Sequence, residues 1–148
     1  MKQKSVFVIS LFLFILITGC QLLLTQPVNP HLAMGNPSNA GENPNNYLMI
    51  KPQYALSYSR ERGTPNWVAW QLNQSWLGSI ERQDDFRPDD SLPSDWYRVR
   101  PSDYTGSGYD RGHVVPSADR TATIQDNSAT FLMTNIIPQT PDNNRGAW

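Results

Sequence analysis

Asp110, Arg111, Gly112 and His113 stand together, and about thirty residues later the chain reads Thr140-Pro141-Asp142-Asn143-Asn144-Arg145. These residue types suit cleavage of a phosphodiester. That reaction needs an activated water, a cation to offset charge on the phosphorane and the leaving oxygen, and donors that hold the phosphate. A neutral histidine near its ordinary pKa takes a proton from water at physiological pH. Asparagine offers a neutral oxygen to magnesium, which keeps several waters and so needs few protein ligands. Arginine presents a rigid fork of donors to phosphate. One histidine, one asparagine and one or two arginines are a sufficient minimum. Taken singly they carry less: a histidine beside an aspartate is often a hydrogen-bonded pair, and Asn144 also suits a helix start.

The elements that must position these groups follow from the neighbouring residues. Gly112 lets the backbone bend or approach another chain segment closely. Val114-Val115 favours extended structure and Pro116 ends it, which places His113 at the edge or end of a strand. Ser117 to Arg120 reads as a turn and Thr121 to Thr130 as a short helix or ordered loop. Phe131 to Ile137 is the most apolar run after the leader and has the length of a buried strand. Thr140 then has the character of an N-cap, with Pro141 at the first helical position. The order is strand, strand, helix, with His113 on the first and Asn144 early on the last.

Upstream, Thr25 to Asn46 is rich in Pro, Asn, Gly and Ser and reads as a tether or irregular arm, with His31 a solvated residue in it. Packed structure is expected from Tyr47. Tyr54–Ser59 and Trp67–Leu72 flank turn residues and predict a hairpin, with Trp76–Ile80 as a third short element returning along it. Glu81 to Asp90 concentrates charge without periodicity. Its aspartates match no calcium loop and read as a solvated segment. Leu92 to Arg100 predicts a short strand or a turn-rich cover, and Pro101 to Gly108 a loop leading into the central motif.

Composition sets limits on binding. From Cys20 onward ten basic residues face thirteen acidic ones, about −3 overall, so a bulk electrostatic grip on nucleic acid is not expected and binding needs a local patch or a metal ion. Nine arginines against one lysine in that region fit phosphate handling, and also fit a simple compositional bias.

The amino end is a leader. Met1 to Lys4 is basic, Ser5 to Ile17 is almost wholly apolar, and Ile17-Thr18-Gly19-Cys20 follows. Thirteen or so apolar residues are too few for a comfortable membrane span, which needs about twenty. The tetrapeptide is similar to a lipobox, which would make residues 1–19 a signal peptide and Cys20 the lipidated first residue. An ordinary cleaved signal is the alternative. Either way the protein is exported, as a membrane-anchored lipoprotein or free in the periplasm or outside the cell. Cys20 is the sole cysteine, so no internal disulfide forms.

From about His31 to Trp148 the sequence resembles the DNA/RNA non-specific endonucleases with the ββα-metal motif, in particular the NucA-type nucleases of cyanobacteria. The likeness is densest in Arg82–Asp90, in Gly108–Arg120 with its D-R-G-H, and in Thr130–Arg145 with T-F-L-M-T-N and P-Q-T-P-D-N-N-R. It implies an α+β fold of the ββα-metal type, a mixed or antiparallel sheet with helices. It further implies His113 as general base, Asn144 as the direct metal ligand and Arg82 as stabiliser of the phosphate in the transition state. Arg111 would lie near the phosphate, Asp110 would support the motif, and Asn135 would be an asparagine supporting the site. The implied reaction is hydrolysis of DNA and RNA without sequence preference, with Mg²⁺ or with Mn²⁺ in its place, leaving 5′-phosphates.

Family members also carry a glutamate about two helical turns beyond the metal asparagine, whereas this sequence ends four residues after Asn144. The resemblance therefore implies that residues 47–148 are the N-terminal portion only of the endonuclease domain, behind a 20–46 tether. The alternative is a catalytically impaired, exported lipoprotein remnant with weak nucleic-acid binding. Oligomeric state is left open by these features.

Overall fold

A computed structural model describes residues 29–147 of the chain. Two small antiparallel sheets organise it. The first is a meander of β1 (Tyr47–Ile50), β2 (Ala55–Ser59) and β3 (Thr64–Ala69) in that order. The second pairs β4 (Asp110–His113) with β5 (Ile136–Gln139). One short helix, α1 (Ile124–Ala129), lies between β4 and β5, capped by the Thr123 hydroxyl accepting from the Asp126 amide. The chain is α+β.

Strand β2 is buried along all five residues because it is central in its sheet and packed on both faces. Its Leu56 and Tyr58 join Met49, Tyr54, Leu92, Trp96, Val115 and Ala129 in the core. Pro65, which has no N–H to donate, is tolerated because β3 is an edge strand, and the register shifts by a bulge between Ser57 and Tyr58. Val115 brings this core to the end of β4, two residues from His113.

Five expectations are corrected. His31 is not solvated: it is 6% exposed, with Nε2 against the Pro52 carbonyl at 2.7 Å and Nδ1 accepting from the Gln71 amide at 3.0 Å. Both ring nitrogens find backbone partners, which is why a polar ring can be buried there. The arm from Asn29 to Asn46 accordingly packs on the hairpin instead of hanging free, and Gly41 bridges to Tyr47. Trp76 ends a short 3₁₀ turn (Gln74–Trp76) and is not in a strand; its ring lies under the buried guanidinium of Arg120, 4.3 Å away. The neighbour of the hairpin is β1, which had been expected only as the start of packing.

Asp89 is not solvated either. It is 3% exposed, paired with Lys51 at 2.8 Å and accepting from Thr134 Oγ1 at 2.6 Å. Burial pushes its carboxyl upward, but the bonds from Lys51 and Thr134 outweigh that and hold it below the usual carboxylate range. The other aspartates of that segment, Asp84, Asp85 and Asp90, are exposed. Finally, the apolar run at Phe131–Ile137 is not one strand. Met133–Asn135 forms a 3₁₀ turn whose side chains enter the core, and the strand begins at Ile136.

Candidate active site

The β4–β5 register pairs Asp110 with Gln139, Arg111 with Pro138, Gly112 with Ile137 and His113 with Ile136. Side chains alternate along a strand, so Arg111 and His113 share one face while Asp110 and Gly112 share the other. Glycine is required at 112. A Cβ there would lie 2.2 Å from Cδ of Gln139, whose side chain crosses the strand at that point.

His113 is 6% exposed and stands edge-on to two phenylalanines, Phe131 at 4.7 Å and Phe86 at 5.3 Å between ring centroids. No protein group among the described residues hydrogen-bonds its ring, and Nε2 is enclosed without a partner. Burial, and secondarily the charge of Arg82, lower its pKa to about 4, with Asp84 opposing. The imidazole is therefore neutral at physiological pH.

The same two rings carry the arginines. The Arg111 guanidinium lies 4.2 Å over Phe86 and that of Arg82 lies 4.8 Å over Phe131. Arg82 is further fixed by Asp84 at 2.7 Å from Nε and by the Ser117 hydroxyl at 2.9 Å from Nη1. Among the described residues no group hydrogen-bonds its Nη2. Arg111 has no ion-pair partner among the described residues.

Asn144 lies in the terminal helical segment. Thr140 starts it as expected, its carbonyl accepting from the Asn144 amide at 2.9 Å, and Asn143–Ala147 then widens into a π-helical turn. The Asn144 Nδ2 donates to Asp110 Oδ2 at 3.1 Å, and Arg145 forks onto both oxygens of the same carboxylate at 2.7 and 2.8 Å. The hydrogen bonds from Arg145 and Asn144 keep the Asp110 carboxyl below its usual range. An ionised carboxylate only accepts, so it must face the NH₂ end of the amide, and the Asn144 oxygen has no hydrogen-bond partner among the described residues.

Arg82, Arg111, His113 and Asn144 line one cleft of about 540 Å³. A neighbouring cleft of about 570 Å³ shares Arg82, Arg111 and Asn144 with it and adds Asp110 and Arg145. Asn135 lines neither. It is fully buried and ties the segment after β4 to the end of α1: its Oδ1 accepts from the Val115 amide at 2.9 Å, and its Nδ2 donates to the carbonyls of Val115 and Thr130 at 3.0 and 2.8 Å. Cys20 lies outside the described residues. Sequence reasoning missed Phe86, Phe131 and Ser117, which hold the histidine and arginines in place. Nothing in their spacing marks them, since they meet only through the fold.

Residues 29–148 match the family model of the DNA/RNA non-specific endonucleases. The chain belongs to that family. It is 60% identical over 145 residues to a nuclease of Nostoc sp., covering 90% of this chain and 53% of that protein. It is 36% identical over 103 residues to human mitochondrial endonuclease G, covering 68% and 34%. Among solved structures, the EndoG chain of a complex of EndoG with EndoGI superposes with a TM-score of 0.69 at 28% identity, over 80% of this chain and 47% of that one. The chain thus spans about half the length of the Nostoc nuclease, and it has the ββα-metal nuclease fold.

Membership of this family implies a divalent metal ion. The donor chemistry fits one: the free atom of Asn144 is a neutral, hard oxygen. Among the described residues no group of three or more His, Cys, Asp or Glu could hold a metal. One amide oxygen completed by water is a donor set that suits a hard divalent cation.

Proposed function

We propose that the protein is a Mg²⁺-dependent, sugar-non-specific endonuclease that hydrolyses phosphodiester bonds of DNA and RNA and leaves 5′-phosphates, with Mn²⁺ able to replace Mg²⁺. The observation that carries this reading is the sharing of one cleft by His113, Arg82, Arg111 and Asn144. His113 is the general base. Its Nδ1, the ring nitrogen not enclosed by the protein, takes the proton of the attacking water, and low basicity keeps the ring ready for it at pH 7.

Arg111 binds the non-bridging oxygens of the phosphate, and Arg82 Nη2 meets the charge that grows on them. Both guanidinium planes are held by phenylalanine rings, so little side-chain freedom is lost on binding. Asn144 would hold the metal through Oδ1, with Asp110 fixing the amide's orientation. Bound there, the metal would supply positive charge that offsets the charge of the leaving oxygen. None of these contacts reads a base edge or a 2′-hydroxyl, which is why both DNA and RNA are accepted.

The test is degradation of plasmid DNA and of RNA by the purified chain with Mg²⁺, abolished by EDTA and by His113→Ala. Full activity of that variant would remove His113 from the role of base. Binding of nucleic acid without cleavage would instead favour the catalytically impaired reading. We also infer export with lipidation at Cys20. Incorporation of labelled palmitate that persists in Cys20→Ser would refute it.

A further inference from the structure

Beyond the two clefts at the candidate active site lies a third, of about 450 Å³, walled by Tyr97, Tyr104, Tyr109, Arg60 and Arg62 at the tip of the β2–β3 hairpin. Tyr104 and Tyr109 also line the cleft that contains Arg111 and Asn144, so the two hollows are successive parts of one groove. Tyr97 and Tyr109 are 64% and 51% exposed, high values for large aromatic rings.

The Tyr97 ring is held by its hydroxyl, and Tyr109 by its backbone. The Tyr97 hydroxyl donates to Asp103 at 2.8 Å, and the Tyr109 amide donates to the Ser107 hydroxyl at 3.1 Å, just after Gly108 turns the chain at φ +80°. Two carboxylates face the groove, but both have partners. Asp103 also accepts from the Arg100 amide at 2.8 Å, and Glu61 accepts from Asn45 Nδ2 at 3.2 Å. Arg60 and Arg62 are exposed, Arg60 beside Asp95 at 3.6 Å and Arg62 against Asn66.

Aromatic faces beside exposed guanidinium groups are the elements of a single-strand platform: every base has a π-face, so stacking gives affinity without sequence preference. We propose that this groove binds the strand flanking the scissile phosphate, with unpaired bases stacked on Tyr109 and Tyr97 and a phosphate near Arg62. The inference rests on the nuclease reading and adds to it a subsite that favours single-stranded or locally opened substrate.

The test is fluorescence anisotropy of labelled single-stranded oligonucleotides in EDTA, where no cleavage occurs. The full chain should bind a 12-mer more tightly than a trimer, which is too short to reach from the catalytic cleft to Tyr97. In the double variant Tyr97→Ala/Tyr109→Ala that length advantage should shrink by about fivefold or more, and Tyr97→Phe/Tyr109→Phe, which keeps both rings, should retain it. An unchanged length advantage in the alanine variant, or equal weakening for both lengths, overturns the subsite and leaves the nuclease reading intact. If the unsubstituted chain binds neither oligonucleotide and cleaves no nucleic acid, the nuclease reading itself fails and takes the subsite with it.

Discussion

Asp110 on β4 receives the side-chain amide of Asn144 at 3.1 Å, so a carboxylate on one element decides which end of an amide on another is left free. Asp110→Asn removes that decision, because an amide both donates and accepts and the Asn144 group can then turn either way. The Mg²⁺ concentration that half-saturates plasmid cleavage should rise by about tenfold or more, as for other lost supports of metal ligands. Arg145→Ala, which leaves the bond to Asn144 in place, should raise it less. Equal Mg²⁺ requirements in Asp110→Asn and the unsubstituted chain would count against this role.

Gly112→Ala should lower the thermal midpoint, because the new methyl overlaps Gln139 atoms 2.2–2.6 Å away. Overpacking of this kind costs about 1–3 kcal/mol. The overlapping atoms belong to a side chain, so Gly112→Ala/Gln139→Ala should recover most of the loss. A double-mutant cycle in urea with a coupling energy near zero would show that the two positions do not meet.

His113 gives stability a pH window. Its folded pKa of about 4 lies below the ordinary 6.5, so between those values the unfolded chain binds a proton that the folded chain refuses. The contribution is complete above pH 6.5 and is lost as pH falls toward 4, on the order of 3 kcal/mol in total. His113→Gln should flatten the metal-free stability profile over that interval. A profile as steep as that of the unsubstituted chain would show that another group titrates there.

Asp89 acts in a lower window. Its carboxyl is held below the ordinary 3.8, so its contribution is present above that value and lost as pH falls further. Asp89→Ala takes away the charge partner of Lys51, whose side chain is 12% exposed and keeps only the Ser91 hydroxyl at 3.0 Å, and should cost about 2–3 kcal/mol in urea unfolding at pH 7. Lys51→Met/Asp89→Leu should cost much less, since no buried charge is then left alone. A small loss in Asp89→Ala would mean that Lys51 finds water.

The parts of this fold that were legible in the sequence are those fixed by local chemistry. That His113 stands at a strand end was legible from Gly112 and Pro116, although Val114-Val115, expected to be extended, bend away after the strand stops at His113; the start of the terminal helix was legible from Thr140-Pro141. The hairpin followed from two apolar runs around a turn. What was hidden depends on partners distant in sequence. His31 looked solvated because its acceptor and donor, Pro52 and Gln71, are 21 and 40 residues away. Asp89 looked like one of several loop aspartates until Lys51 and Thr134 met it, and the phenylalanine floor under the arginines has no signature at all. The site residues came from the motif, whereas the reason they hold their geometry came from the fold.

The alternation along β4 has a consequence of its own. Four consecutive residues send the Asp110 carboxylate to one side of the ribbon, and the Arg111 and His113 side chains to the other. A slip of one position against β5 would exchange the two sets together and bring Gln139 against a side chain instead of a glycine. Pairing register and chemical competence are therefore a single specification here. Length changes in the 102–108 loop leave it untouched, while one inserted residue between Asp110 and His113 erases it.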